Sequence, residues 1–443
     1  SLDSLEERAD NLERALTYWS SDFKKSRHNI TWKEVADALH PSEAAIEFIH
    51  FQHYRDNEPT DSVLYAAYIN KRGLAEPVFV PLFEQKRLER WLSYSGTSTQ
   101  DQVEEWYDSD TLYQLIWKPL EPYLDGADTI YYSPSGLLHR LAFAAIRLEP
   151  GTHLSDAYQL QYVTSSREIP GKSKTTAEEL ATALVYGGIR YETDREAVRE
   201  LALQPVASER YSPTPVRQGE EGQERYSLGF LGFSIPEMES VERILKAHQM
   251  FTMTLRGYEG LEESFKALGE KYPSPQIIHI PTHGFFFEPF TSQARPAANS
   301  FESAKDALLR CGLLLANADT AWRGHPPLPG YEDGILTGYE IANLDLSNTR
   351  LAILSACNTG RGEIKGGEGV YGLQRAFKLA GADWIIMTLW SITDGPQTVD
   401  FMAAFYRNWF SGMDIRAAFH TAQQEMKKKY QAPYYWAPFV LIR

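Results

Sequence analysis

The feature that most constrains this chain is the alternation of short apolar runs with helically spaced segments from about residue 181 to the end. The runs ATALVYGGI, QIIHIPT, RLAILSA, DWIIMTLW and the terminal FVLIR are near-continuous in apolar residues, and FTMTL is a shorter one. Strands buried on both faces of a parallel sheet read this way, because neither face meets water. Between them Met238, Val241 and Leu245 recur at helical spacing, as do Leu261, Phe265 and Leu268. Val370, Leu373 and Phe377 form a further set, and Ile415, Ala418, Phe419, Ala422 and Met426 another. Strands alternating with helices predict an α/β fold, a doubly wound and mostly parallel sheet with flanking helices.

A first α/β unit precedes it. AIEFIHF, SVLYAAYI, EPVFVPL and DTIYYSP are strand-like, with polar helical segments at Glu84–Leu92 and Asp101–Trp117. SREIPGKSKTTAEEL reads as a linker. At the start, Leu2, Leu5, Leu12 and Leu16 give one helix to about Phe23, which looks cut from a longer helical array. The expected division is 1–41 (N-terminal helical region), 42–170 (first α/β unit) and 171–443 (second unit). Tyr191–Ser227 and Phe285–Asp333 are polar or rich in Pro, Gly and Asn, and read as surface insertions.

Composition excludes several classes. The net charge of -15 disfavours nucleic acid or an anionic membrane as a direct partner. With two cysteines, Cys311 and Cys357, there is no disulfide framework, and the usage fits a reducing compartment. No apolar run reaches the ~18 residues of a membrane span. The expectation is a soluble cytoplasmic protein.

Two strands end in residues that carry chemistry. QIIHIPTHGFF runs out at Thr282-His283-Gly284, and RLAILSACNTG at Ala356-Cys357-Asn358. In open α/β sheets the ligand crevice lies outside the carboxyl ends of the strands. If the two strands are neighbours, Cys357 and His283 meet there as nucleophile and general base. Gly284 lets a backbone N–H approach a substrate carbonyl, and with the N–H of Cys357 it would form an oxyanion hole. The competing reading is a core cysteine and a turn histidine.

The wider string decides between them. IIHIPTHGFF, CGLLLANAD, the long stretch from DGILTGYEIANLDLSNTRLAILSACNTG to ADWIIMTLWSITD, WAPFVLIR, and SPSGLLHRLAFAAI in the first unit closely resemble the CHAT family, caspase-like peptidases commonly attached to tetratricopeptide repeats. The resemblance covers about Ser42 to Arg443. It implies a caspase-like fold, a Cys357–His283 dyad, and a first unit that is a degenerate caspase-like domain. It also implies cleavage of a protein substrate under control of an activating partner, in bacterial regulation or defence. By analogy with separases, Asp394 would read a basic side chain before the cut. Its other reading is an N-cap for the helix starting near Pro396. Trp390 would wall the pocket or fill the core. Glu368, with Lys365, would touch substrate or move on activation, or be a solvated loop.

Other patterns carry less. Gly367–Gly372 matches G-x-G-x-x-G, but no strand ends directly before it, so no dinucleotide cofactor is expected. His279 and His283 would lie ~13 Å apart on a strand, too far to share a metal. With no C-x-x-C pair, neither metal nor cofactor is expected. Ser135 and His139 lack a nucleophile elbow. Cys311 is expected to be structural. The alternatives to the peptidase are a non-hydrolytic scaffold on the same fold, and an enzyme held latent by the glycine-rich loop 360–369.

Overall fold

The computed structural model describes residues 29–93, 98–171, 174–194, 228–288, 304, 306–356, 362–365 and 369–443. The expected helix at residues 2–23 lies outside them, as do Cys357, Glu368, Gly367 and most of the 191–227 insertion.

The chain first lays down β1 (Glu43–Arg55), β2 (Glu58–Lys71), β3 (Val78–Glu84) and β4 (Thr129–Ser133), a small hairpin β5 (Arg147–Glu149) and β6 (Thr152–His153), and then β7 (Gln159–Tyr162). It continues with β8 (Thr182–Gly187), β9 (Phe251–Arg256) and β10 (Ile277–Pro281). A side sheet follows, made of β11 (His283–Phe286), β12 (Cys311–Leu314) and β13 (Ile335–Thr337). After β14 (Leu351–Ser355) comes a hairpin, β15 (Gly362–Lys365) and β16 (Gly369–Gly372), then β17 (Trp384–Thr388) and β18 (Phe439–Ile442).

Eleven strands form one sheet in the order β3-β2-β1-β4-β7-β18-β17-β14-β10-β8-β9. Strands β9, β8, β10, β14 and β17 run parallel to one another. At β18 the direction reverses: it is antiparallel to β17 and parallel to β7, which pairs in parallel with β4, as β4 does with β1. The sheet therefore runs without a break from residues before position 170 to residues after it. The intervening SREIPGKSKTTAEEL segment is fastened rather than free. Ile169 is buried, and Thr175 accepts from the indole of Trp409 and from the Ile415 amide while its own N–H reaches Asp414.

β8, β10, β14 and β17 are almost wholly buried, with helices packed over them. Met238, Val241 and Leu245 are buried on the helix Ser234–Ala247, and Ile415, Ala418, Ala422 and Met426 on the helix Ile415–Lys429, as their spacing predicts. Three expectations change. Val370 belongs to β16, and the helix begins only at Leu373 because the glycine-bounded hairpin precedes it. The helical segment expected over Asp101–Trp117 is a helix Thr99–Tyr107 and a separate π-turn Tyr113–Trp117, parted at Asp108-Ser109-Asp110. The 285–333 stretch is not a plain loop, since it supplies β12, whose four residues are all buried.

Candidate functional site

β8 sits between β9 and β10, so the chain moves outward to β9 and then crosses back to β10. At such a reversal the strand ends diverge and leave a crevice. Two segments reach this edge with chemistry. β10 pairs with β14 in parallel, Pro281 level with Ser355, and the Thr282 amide extends the ladder by donating to the Ser355 carbonyl at 3.3 Å. His283 follows the end of the first strand, as the opening residue of β11. On the other, Ala356 is the last described residue, and its carbonyl accepts from the Thr388 hydroxyl at 2.6 Å. Cys357 lies outside the described residues.

His283 is half-buried, and its surroundings fix its tautomer. Nε2 lies 2.6 Å from the carbonyl oxygen of Gly229. A carbonyl only accepts, so Nε2 carries the hydrogen and Nδ1 of the neutral ring keeps its lone pair. One side of the ring is covered by Tyr191, with centroids 4.8 Å apart. Tyr191 is held in turn: the Thr282 hydroxyl donates to the Leu314 carbonyl, so Tyr191 Oη donates to Thr282 Oγ1 at 3.0 Å. Burial pushes the imidazole pKa of His283 down, while the Gly229 carbonyl and the charge of Asp394 oppose that push. The outcome is a ring neutral near pH 7 with one nitrogen poised to take a proton.

Asp394 is exposed, six residues beyond the end of β17. It does not cap the helix Pro396–Phe410, whose N-cap is Gly395 with no side-chain bond. Instead its two oxygens accept from the Phe233 amide at 3.1 and 3.2 Å, which ties its loop to the turn that carries Gly229. Tyr434 braces the same loop, its hydroxyl reaching the Ser391 carbonyl and Thr393 Oγ1, each at 3.1 Å. Trp390 is only 2% exposed, donates to the Tyr434 carbonyl at 3.3 Å and packs near Tyr107. That burial belongs to a core aromatic and leaves it no surface with which to wall a crevice. Gly284 pairs with Leu313 in the β11–β12 ladder.

The remaining sequence candidates separate cleanly. Cys311 is 1% exposed, and burial pushes its thiol up to about 12, so at neutral pH it is no thiolate nucleophile. His279 is fully buried, with Nε2 on Glu237 Oε1 at 3.0 Å. Ser135 and His139 do not pair: Ser135 Oγ meets His50 Nδ1 at 2.6 Å, and His139 Nδ1 meets the Tyr162 hydroxyl at 2.7 Å. Among the described residues no group of His, Cys, Asp and Glu could hold a metal. None of their helices is long and apolar enough to cross a membrane. Sequence reasoning missed Gly229, Phe233, Tyr191 and Thr388. The first two act through backbone atoms, Tyr191 lies in the irregular chain after β8, and Thr388 is an ordinary strand-end residue.

Comparison with known proteins gives partial matches to tetratricopeptide repeat protein 28. The Mus musculus protein is 30% identical over 119 residues, which is 26% of this chain and 5% of that protein. The Homo sapiens protein is 29% identical over the same shares. The chain thus spans about 5% of the length of these relatives. Among solved structures, the Arg-specific cysteine proteinase gingipain R covers 79% of this chain and 68% of its own at 8% identity, with a TM-score of 0.40. A chain of the Saccharomyces cerevisiae separase–securin complex covers 93% of this chain and 30% of its own at 8% identity, with a TM-score of 0.46. Likenesses this slight carry no argument about function. The family model of the CHAT domain, however, matches residues 108–443, three quarters of the sequence including β10, β14 and the loops around His283, and the chain belongs to the CHAT-domain family.

Proposed function

We propose that the chain is a cysteine endopeptidase in which Cys357 is the nucleophile and His283 the base. The observation that carries this reading is the fixed tautomer of His283, with Nε2–H spent on Gly229 and Nδ1 without a partner among the described residues, two residues past β10, the strand paired to the one that leads into Cys357. The Thr388 hydroxyl holds the Ala356 carbonyl, so the thiol starts from an anchored strand end.

In this reading His283 Nδ1 takes the thiol proton and the sulfur attacks the scissile carbonyl carbon. The oxyanion is met by the N–H groups of Gly284 and Cys357. As the intermediate collapses, the amine leaves with the proton from Nδ1, and a thioester remains. Water then attacks, gives its proton to Nδ1, and releases the acid and the thiol. Asp394, exposed and near enough to act on His283 electrostatically, would read a basic side chain next to the cut. Glu368 would lie against the substrate. The substrate is a protein, cleaved in the cytoplasm after an activating protein has bound, in a bacterial regulatory or defence setting.

Cut-site mapping on a peptide library tests the reading. Once its activating protein is supplied, the intact chain should cut after basic residues. Cys357→Ala and His283→Ala should each lower turnover by at least about a thousandfold without unfolding. Asp394→Ala should keep cutting but lose the basic preference. An electrophilic probe should label Cys357 and spare Cys311. Full turnover in the Cys357→Ala protein would overturn the assignment.

A further inference from the structure

His279 takes no part in this chemistry, yet it is fully buried beside a buried carboxylate. Glu237 Oε1 lies 3.0 Å from its Nε2, and the Tyr406 hydroxyl lies 3.4 Å from its Nδ1. Burial, then the Glu237 charge, push the Tyr406 pKa well up, so this hydroxyl stays protonated and can donate. With Nδ1 accepting from Tyr406, Nε2 carries the hydrogen that Glu237 receives. Burying the Glu237 carboxylate beside a neutral imidazole is unfavourable, and an apolar pair of like volume is often as stable. The pair therefore calls for a role other than stability.

His279 lies on β10, and His283 opens β11 two residues past the end of β10. The helix Ser234–Ala247 and the turn before it reach the chain at both histidines. Glu237, in the first turn of the helix, reaches His279, and Gly229, in the lead-in, reaches His283. Between them Ser234 Oγ accepts from the Gly188 amide at 3.0 Å and donates to the Leu231 carbonyl at 2.6 Å. Beneath, a Cβ on Gly187 would stand 2.6 Å from Met238 Cβ, so the helix approaches the end of β8 as closely as a glycine permits. The Phe233 amide that holds Asp394 belongs to the same turn. A slide of this helix along β10 would displace the Gly229 carbonyl and the Phe233 amide together.

We propose that the Glu237–His279 bond is a positioning device for the catalytic histidine, setting the helix Ser234–Ala247 on β10 so that the Gly229 carbonyl stays on His283 and the Phe233 amide on Asp394. The proposal rests on the reading of His283 as the base. Glu237 and His279 touch no reacting atom and act only through His283 and Asp394.

The test is histidine-imidazole NMR on the full chain labelled with 15N-histidine, with His283 assigned by His283→Gln. It is combined with kcat and KM for a fluorogenic peptide ending in arginine at the cut. The unaltered chain should show His283 as a single Nε2–H tautomer. Glu237→Gln keeps the shape and an acceptor oxygen, and should keep the tautomer with kcat within about threefold. Glu237→Leu and His279→Phe should give mixed tautomers, with kcat down roughly ten- to hundredfold, as a misplacement of about 1 Å can produce, and KM for the arginine peptide raised as Asp394 loses its Phe233 tether. Should either fail to fold, Glu237→Asp shortens the side chain while keeping its charge, and should mix the tautomers too. A single Nε2–H tautomer in the folded Leu, Phe or Asp variants would overturn the proposal. So would a Gln variant that behaves like the Leu variant. A chain that cleaves nothing still reports the tautomer, so failure of the peptidase reading and failure of this one are seen in separate signals.

Discussion

Two regions of the molecule, the interior of the β10–β14–β17 ladder and the rim where those strands end, use the same residue types for different ends. His279 and His283 stand four residues apart, the first on β10 and the second opening β11 just beyond it. The inner one is sealed between Glu237 and Tyr406, and both ring nitrogens are engaged. The outer one is half-buried, bound through Nε2 to a carbonyl, with Nδ1 open. The path beyond β17 repeats this, for Trp390 is buried and hydrogen-bonded while Asp394, four residues on, is exposed. Four residues along the chain separate a group fixed by packing from a group more open to its surroundings. The difference lies in how many partners surround each side chain.

The comparison breaks most sharply at Trp390. If it is interior, Trp390→Ala removes a large buried ring and should cost about 3–5 kcal/mol of unfolding free energy. Urea denaturation followed by circular dichroism measures this. A cost near zero would place Trp390 with the rim residues. Asp394→Ala should leave the denaturation midpoint almost unmoved, since its carboxylate is exposed.

pH offers a second, smaller separation. Burial, with His50 nearby, pushes His139 down to about 3, and burial pushes His153 down to about 4, from an ordinary 6.5. The folded state then holds both neutral in a range where the unfolded chain takes up protons. Stability is present above pH 6.5 and is lost as pH falls from 6.5 toward 4, with a slope of at most about 1.4 kcal/mol per pH unit for each proton. His139→Gln should flatten part of that slope. A stability profile flat between pH 7 and pH 5 would mean these interior histidines are not held neutral.

Much of the fold was legible because buried parallel strands are written as apolar runs. Ten of the eleven strands of the main sheet coincide with such runs. The exception is β7, whose QLQY has two glutamines in four residues, although Gln161 is buried. The side sheet was hidden too. β12 was read only as an apolar stretch around Cys311, inside a segment rich in loop residues. At the site, His283 and Asp394 could be picked out because the proposed chemistry uses side chains. Gly229 and Phe233 could not, since a carbonyl and an amide are present in every residue and only the fold selects which ones serve. They also follow the 191–227 insertion, where the pattern says loop and nothing more.

The smallest effect falls on the boundary between the two regions. Thr388 is fully buried at the end of β17, yet its hydroxyl serves the rim by donating to the Ala356 carbonyl at the end of β14. Thr388→Val keeps the shape and removes that donor. The stability cost should be only about 1 kcal/mol, the usual net worth of one such bond. The functional cost should exceed it in kind, because Ala356 is the last anchored residue before Cys357. On the proposed reading, in which Cys357 works with His283, a looser strand end would lower the fraction of time the thiol is presented to the imidazole. The rate of Cys357 alkylation by iodoacetamide, compared with that of His283→Ala, reads this directly. A slower rate with an almost unchanged denaturation midpoint assigns Thr388 to the rim. An unchanged rate with a lowered midpoint assigns it to the interior alone, and the boundary then lies one residue nearer the crevice.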